Sequence, residues 1–281
     1  MAALVTASGA ARAQTATGAE ASSSAPARTG AAELGRDAYW ALGVSRFFVS
    51  STVDAGYLYF RPQLAIGYGR PHISWVGAEI YPSVSNGNVA EYAGLRAALP
   101  YVDVRLGARY LFTFGRHFLQ PRASYTRDDI DARTGPPTRY LALNAEVTFS
   151  MPLPVGSLFG IVGATGNFGV PKGLYVFDET YRTVMKPPFI ARGRLGYAGT
   201  IGDLTLGGFG EVIENAARDQ TVFRIGPTAG LQISDHLDLF ATFAFVVEGL
   251  DRAGLAGGDL GTLGVRYRWA SGEAVPVYMI P

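Results

Sequence analysis

The sequence predicts an all-β fold, a closed antiparallel transmembrane β-barrel of about 12 strands within a range of about 8–14. The first observation is the segment 101–115, where every second residue from Val102 to Phe114 is apolar. The residues between them are mostly charged, small or polar, among them Asp103, Arg105 and Arg109. Because side chains alternate across a strand, one face is apolar and the other polar. The segment is long enough for a tilted strand that crosses a bilayer, which needs about 9–11 residues.

The second observation is that similar segments repeat along the chain and that their connections alternate in length. The candidate strands are 37–49, 56–69, 73–82, 89–99, 101–114, 139–151, 157–168, 188–200, 203–214, 221–234, 236–248 and 258–269. Three of them, 37–49, 89–99 and 157–168, alternate poorly, so the strand count is weakest there. Short connections at 70–72, 99–100, 152–156, 202–203 and 234–235 contrast with the long ones at 115–138 and 169–187. Short turns at one end and long loops at the other are typical of transmembrane barrels.

The third observation is the composition of the 281 residues. Charged residues make up 17% of the chain, there are 36 glycines, and only two of the 24 basic residues, Lys172 and Lys186, are lysines. A soluble surface normally carries more charge and more lysine. A net charge of +1 predicts no nucleic-acid partner. Without cysteine the chain has neither disulfides nor thiolate metal ligands, and no pattern indicates a cofactor or a metal.

Alternation alone does not decide which face is inside, since a lipocalin-like soluble barrel has its apolar set in the core. Twelve strands enclose a backbone radius of about 12 Å, which one apolar set could hardly fill. The polar face is rich in arginine and glycine rather than in lysine and glutamate, unlike a solvated exterior. We therefore expect the apolar face to contact lipid. The predicted lumen residues are Arg61, Glu79, Arg96, Asp103, Arg105, Arg109, Glu146, Arg192, Arg194, Glu211, Arg224, Asp238, Arg266 and Arg268.

Two interpretations of these lumen charges remain open. They can form a lattice of ion pairs that stiffens the wall, because buried arginine is usually paired. They can also give the bore a positive bias that favours anions, since rings of arginine set the selectivity of pores. Both can hold if the unpaired excess of arginine selects the solute.

The domain organisation is a single barrel at 36–269 with flanking segments. Residues 1–14 have the pattern of a signal-peptide remnant, with Ala11-Arg12-Ala13 before Gln14, although an Ala-rich tail is the alternative. Residues 15–35 consist largely of small and polar residues and are predicted to be a disordered linker. Residues 270–281 form a C-terminal tail.

Other chemistry is weakly indicated. His117 with Ser124 is the one pair to consider for hydrolysis, but no orienting group is evident, so we expect no enzyme. The acidic run 127–133 is interpreted as a solvated loop, with Ca²⁺ binding as the alternative. Segment 174–186 could be a short helix or a hairpin that enters the bore.

The region 36–269 resembles proteobacterial outer-membrane β-barrel proteins in a generic way, through its alternation, its loop asymmetry and its last strand, which ends at Trp269. The resemblance implies the outer membrane of a Gram-negative bacterium, with the lipid bilayer and the barrel assembly machinery as partners. It also implies that Trp269 is the assembly signal, although twelve residues follow it here. The expected function is a narrow diffusion channel for small, anionic solutes. The alternative is a plugged structural or adhesin-like barrel whose extracellular loops bind a partner. The oligomeric state is left open.

Overall fold

The computed structural model describes residues 38–41, 43–57, 59–85, 87–132, 134–251 and 262–272. Two short helices, α1 (Ala38–Ala41) and α2 (Arg127–Asp131), and one 3-10 turn (Ala216–Arg218) accompany the strands. The strands are β1 (Arg46–Gly56), β2 (Tyr59–Arg70), β3 (Ser74–Ser85), β4 (Asn88–Ala98), β5 (Val102–His117), β6 (Pro137–Pro152), β7 (Ser157–Phe168), β8 (Val176–Asp178), β9 (Thr183–Met185), β10 (Phe189–Ile201), β11 (Leu204–Asn215), β12 (Gln220–Gln232), β13 (Leu237–Thr242), β14 (Phe245–Glu248) and β15 (Thr262–Ala270). The predicted segments 1–14 and 15–35 and residues 273–281 of the tail lie outside the described residues.

The strand pairing closes into one antiparallel barrel. Neighbouring strands pair in the order β11-β10-β7-β6-β5-β4-β3-β2-β1-β15-β13-β12, and β11 also pairs with β12, which closes the ring. The segments β13 and β14 both pair with β12 and occupy one strand position, interrupted opposite Pro227. Within the described residues the ring therefore has twelve strand positions, and the predicted fold class is confirmed. Among the described residues each of these strand positions pairs with a neighbour on both sides, which is what a strand structure in a lipid environment requires.

The prediction of the first strand, 37–49, is wrong. Residues 38–41 form α1, and the strand β1 starts only at Arg46. The aromatic pair Tyr39 and Trp40 resembles the start of a strand in sequence, yet Trp40 packs below the end of the barrel and is 3% exposed. The other predicted strands agree with the observed ones to within a few residues, apart from residues 258–261, which lie outside the described part. Segment 157–168, which alternates poorly, is the strand Ser157–Phe168.

The outer surface of the barrel is apolar. On β2, for example, Leu64 and Ile66 are 48% and 57% exposed, whereas Ala65 between them is buried. Leu106 on β5 and Leu195 on β10 are each 54% exposed. So many exposed large apolar side chains are not tolerated on a protein in water, and a lipid environment explains them. Among the described residues, no helix is long and apolar enough to span a membrane.

The two ends of the barrel differ. Residues 71–73, 99–101, 153–156, 202–203 and 233–236 form tight connections, and we call this the short-turn end. The opposite end carries the connections 118–136 and 169–188, and we call it the long-loop end. The predicted loop asymmetry is thus observed. In the second long connection, β8 and β9 pair as a separate two-stranded hairpin.

Candidate functional site

The interior of the barrel is the candidate site, and it holds every predicted lumen residue on the buried face of its strand. The arginines of this set are Arg61, Arg96, Arg105, Arg109, Arg192, Arg194, Arg224, Arg266 and Arg268, and we call them the lumen arginines. The carboxylates on the same face of the wall are Asp54, Glu79, Asp103, Glu146, Glu211 and Asp238. Contact of these residues with a solute stays a prediction.

In three places two lumen arginines share one carboxylate. Asp54 on β1 binds Arg61 on β2 and also Arg266 on β15, whose Nε lies 2.7 Å from Oδ1. The Asp54 side chain is 1% exposed, so this ion cluster is buried at the seam between the first and last strands. Because the three charges are fixed on three neighbouring strands, the cluster ties these strands together.

The second and third clusters also join two arginines to one carboxylate, and Arg96 of the second cluster has Glu79 as a further partner. Asp103 on β5 accepts from Arg96 Nε at 2.9 Å and from Arg105 Nε at 3.3 Å. Glu211 on β11 lies 2.6 Å from Arg194 Nη2 and 3.3 Å from Arg224 Nη1.

The remaining lumen arginines have their own partners. Arg192 pairs with Glu146, and Arg268 Nη2 lies 2.8 Å from Asp238 Oδ2. Arg96 also approaches Glu79 at 3.4 Å. On the part of the wall that the structure describes, nine arginines face six carboxylates between the rims, an excess of three positive charges. Paired and excess charge therefore coexist, as the two open interpretations allowed.

Asp54 was missed in the sequence, because it follows the wrongly placed first strand. The available signal was the spacing of Phe47, Val49, Val53 and Ala55, which places Asp54 on the opposite face. Phe48 on the inner face and Ser51 on the outer face obscure that alternation.

The inner glycines of the wall make room for aromatic rings. The ring of Tyr92 lies over Gly94 and Gly107, where an added Cβ would come within 2.4–2.5 Å of the Tyr92 hydroxyl. Tyr92 also stacks on Tyr81, whose ring faces the Arg61 guanidinium at 5.4 Å. Aromatic rings and arginines thus fill much of the bore on this side, and rings stabilise the guanidinium charge.

The hairpin of β8 and β9 lies inside the barrel, which resolves the alternative left open for segment 174–186. Val176 and Met185 are fully buried and belong to a core shared with the inner faces of β4, β5, β6, β10, β11 and β12. Three lumen arginines hold the hairpin turn. Arg109 donates to Thr180, Arg192 faces the Tyr181 ring at 5.2 Å, and Arg224 donates to the backbone oxygens of Tyr181 and Arg182. The hairpin therefore narrows the bore.

The long-loop end is covered by a second small core. Leu119, Tyr125 and Ile130 of the connection 118–136 pack on Phe177 and Val184 of the hairpin. Burial raises the pKa of the Tyr125 hydroxyl to about 12, so it stays protonated and donates to the backbone oxygen of Gln120 at 2.6 Å.

An arginine joins this cover to two other connections. Arg218 forms a two-pronged ion pair with Asp251, with N–O distances of 2.5 and 2.6 Å, and its guanidinium faces the Tyr125 ring at 4.9 Å. The backbone N–H of Tyr125 donates to the same carboxylate at 3.0 Å. The long loops therefore form a folded cap over the bore.

Two histidines and Trp40 close the seam at the short-turn end. His72 Nε2 donates to the backbone oxygen of Trp269 at 3.1 Å, and His236 Nδ1 donates to that of Arg268 at 2.9 Å. Trp40 packs edge-on against both imidazoles. Burial, and next the charge of Arg268, lower the pKa of His72 to about 3. The Trp269 side chain points outward and is 42% exposed, and its role as an assembly signal stays a prediction.

The described residues form neither the hydrolytic site nor the Ca²⁺ site that the sequence left as alternatives. No hydrogen bond joins His117 to Ser124 among the contacts of the described residues. In the acidic run, Asp129 caps α2 through Thr126 and binds Arg122, while Asp131 binds Arg116. In the described part of the chain, no group of three or more candidate side chains could hold a metal ion.

Comparison with known proteins adds the following. No protein-family model matches the sequence, and no curated protein matches it. Among solved structures, one titled "KdgM porin" is 8% identical with a TM-score of 0.40, over 78% of this chain and 98% of that chain. An anion-selective porin from Comamonas acidovorans is 10% identical with a TM-score of 0.35, over 80% of this chain and 100% of that chain. The Acinetobacter baumannii outer membrane protein Omp33 is 11% identical with a TM-score of 0.38, over 80% and 98%. At these values the fold assignment rests on the strand pairing of this chain itself.

Proposed function

We propose that the protein is an integral outer-membrane β-barrel of a Gram-negative bacterium that acts as a narrow diffusion channel for small solutes and favours anions. The observation that carries the proposal is the arginine-rich inner wall, on whose described part nine arginines face six carboxylates, combined with an exposed apolar outer wall. Excess arginine in a confined bore raises the local concentration of anions and lowers that of cations. The proposal includes no catalytic step and no cofactor.

The size of the permeating solute follows from the packing of the bore. Twelve strands give a backbone radius of about 12 Å. Side chains of the wall and the hairpin of β8 and β9 occupy much of that cross-section, with the hairpin residues Val176 and Val184 fully buried. A path past the hairpin suits small, hydrated ions and small organic anions rather than folded or bulky solutes.

Reconstitution in a planar bilayer tests the proposal. The purified protein is expected to give discrete conductance steps, and under a KCl gradient the reversal potential is expected to have the sign of chloride preference. A cation-preferring reversal potential contradicts the anion preference. A silent bilayer, with the protein shown to be folded, contradicts the channel.

A second function is supported by the folded cap. The long-loop end has a defined surface. It is held by the core around Tyr125 and Ile130 and by the buried ion pair between Arg218 and Asp251. A plugged structural or adhesin-like barrel could use this surface to bind a partner. Cells that display the intact protein are compared with cells displaying a variant in which residues 121–131 are shortened. Loss of adhesion by that variant, together with a silent bilayer, would favour this second function.

A further inference from the structure

We propose that the bore contains a binding site for a small carboxylate anion, formed by Arg109, Tyr140 and Asn167, and that the hairpin residue Asp178 occupies this site as a tethered ligand. The inference rests on the proposed channel function for its role, because a site on the conduction path would take the permeating anion. The contacts of Asp178 define the site and do not depend on channel function.

The Asp178 carboxylate is surrounded by hydrogen-bond donors. Its Oδ2 lies 3.4 Å from the Tyr140 hydroxyl, 3.4 Å from Asn167 Nδ2 and 3.9 Å from Arg109 Nη2. These three side chains come from the inner faces of β6, β7 and β5 respectively. Its Oδ1 accepts from the backbone N–H groups of Thr180 and Tyr181, at 2.8 and 3.1 Å. The wall thus contacts one oxygen, and the hairpin's own turn contacts the other.

The wall side of this site is incompletely satisfied. Asp178, Tyr140 and Asn167 are almost fully buried, and the Arg109 side chain is 11% exposed. Yet Nε and Nη2 of Arg109 and Oδ1 of Asn167 have no hydrogen-bond partner among the described residues. Buried arginine nitrogens without partners carry a desolvation cost that a better-placed anion removes. The wall therefore presents donors whose geometry the tethered carboxylate satisfies only in part.

The charge distribution also supports an anion site at Arg109. The wall alone has more arginines than carboxylates, and Asp178 supplies a negative charge from the loop to Arg109, which has no wall carboxylate beside it. A tethered group acts at an effective concentration of about the mM range, so a free carboxylate at similar or higher concentration competes with it. Displacement of Asp178 by a solute anion would remove one of the contacts that hold the hairpin turn in the bore.

Rescue by formate tests the site, because formate is the group that the substitution Asp178→Ala removes. The matched control is Glu179→Ala, which deletes the neighbouring carboxylate, whose partner is Arg116 at 2.7 Å. We expect Asp178→Ala to lower the unfolding midpoint in detergent and formate to restore it in a saturable way. At ten times its Kd, formate raises the folding constant about elevenfold. Chloride at equal ionic strength is expected to restore neither variant, and formate is expected not to restore Glu179→Ala. Equal effects of formate on both variants would overturn the proposal.

A second pair of variants covers the case in which Asp178→Ala does not fold. Asp178→Asn keeps the shape of the side chain, and the double variant Asp178→Asn with Arg109→Gln also removes the opposing charge, so no buried charge is left alone. Formate is expected to raise the unfolding midpoint of Asp178→Asn and to leave that of the double variant unchanged. An equal shift in both variants overturns the site.

Bilayer recordings separate the site from the channel. In chloride, Asp178→Asn is expected to open more often than the wild type, whereas Glu179→Gln is expected to behave like the wild type. If every variant is silent but formate rescue occurs, the channel proposal fails and the carboxylate site stands. If the channels conduct and formate rescue is absent, the site fails and the channel stands.

Discussion

Removal of a single lumen charge should change ion selectivity by an amount that the structure lets us estimate. Arg105 is a suitable position because it shares Asp103 with Arg96, which stays 2.9 Å from the carboxylate after Arg105→Gln. No carboxylate is then left unpaired, so the variant should fold. In a water-filled bore one charge acts on an ion at ~7 Å with about 0.6 kcal/mol.

That energy corresponds to about a threefold change in the local concentration of each ion, in opposite directions for anions and cations. The anion-to-cation permeability ratio of Arg105→Gln should therefore fall about sevenfold, as measured by the reversal potential under a KCl gradient. The effect should fade at 1 M salt, where the Debye length is about 3 Å. The control is Arg139→Gln, which removes the same charge from the outward face of β6. An unchanged reversal potential for Arg105→Gln, or an equal shift for Arg139→Gln, would refute the reasoning.

Three further predictions concern the stability of the barrel. Leu106→Arg places a charge on the lipid face and should cost about 2–4 kcal/mol of unfolding free energy if it lies near the midplane, whereas Leu106→Val should cost much less in the same urea titration. Glu211→Ala leaves two buried arginines without their shared carboxylate and should cost about 3–5 kcal/mol; a cost below about 1 kcal/mol would contradict a buried cluster. His72 has a lowered pKa in the folded state, so its contribution is present above pH ~6.5 and is lost as pH falls below it. Acidification from pH 7 to 5 should cost about 1 kcal/mol after allowance for partial exposure, and His72→Asn should abolish that dependence.

The sequence was sufficient for the fold because the barrel depends on a period of two residues that a bilayer enforces. Outward positions within the bilayer are mostly apolar, so a strand can be recognised wherever its inner residues are charged or small, as in β5 and β6. The same logic placed Arg105, Glu146 and Arg192 on one face without any knowledge of their partners. It failed at β1, where Phe48 on the inner face and Ser51 on the outer face break the pattern.

The contacts of the long loops could not be predicted, because they depend on how distant segments meet. Leu119 bonds to Tyr175 through both backbone groups, across more than fifty residues. Nothing in the spacing of 174–186 distinguishes a hairpin in the bore from one above it. The decisive fact is that Val176 and Met185 pack inside the barrel in one apolar core with Leu111, Ile190 and Ile213. These inner apolar residues lie toward the long-loop end of their strands, where the alternation of apolar and polar residues is weaker.

The two kinds of interior residue divide the bore into regions with different roles. Toward the short-turn end the inner wall holds a cluster of Asp103 and Glu79 with Arg96 and Arg105, whose charges balance within the wall. Toward the long-loop end the wall is apolar at Leu111 and Ile190, and the hairpin covers it. The charged lattice is rigid because most of its arginines are fixed by carboxylates of the wall, several of them on neighbouring strands. The hairpin, by contrast, is attached to the wall charges mainly through Asp178 and backbone oxygens, so it is the part of the interior whose position a competing anion can change.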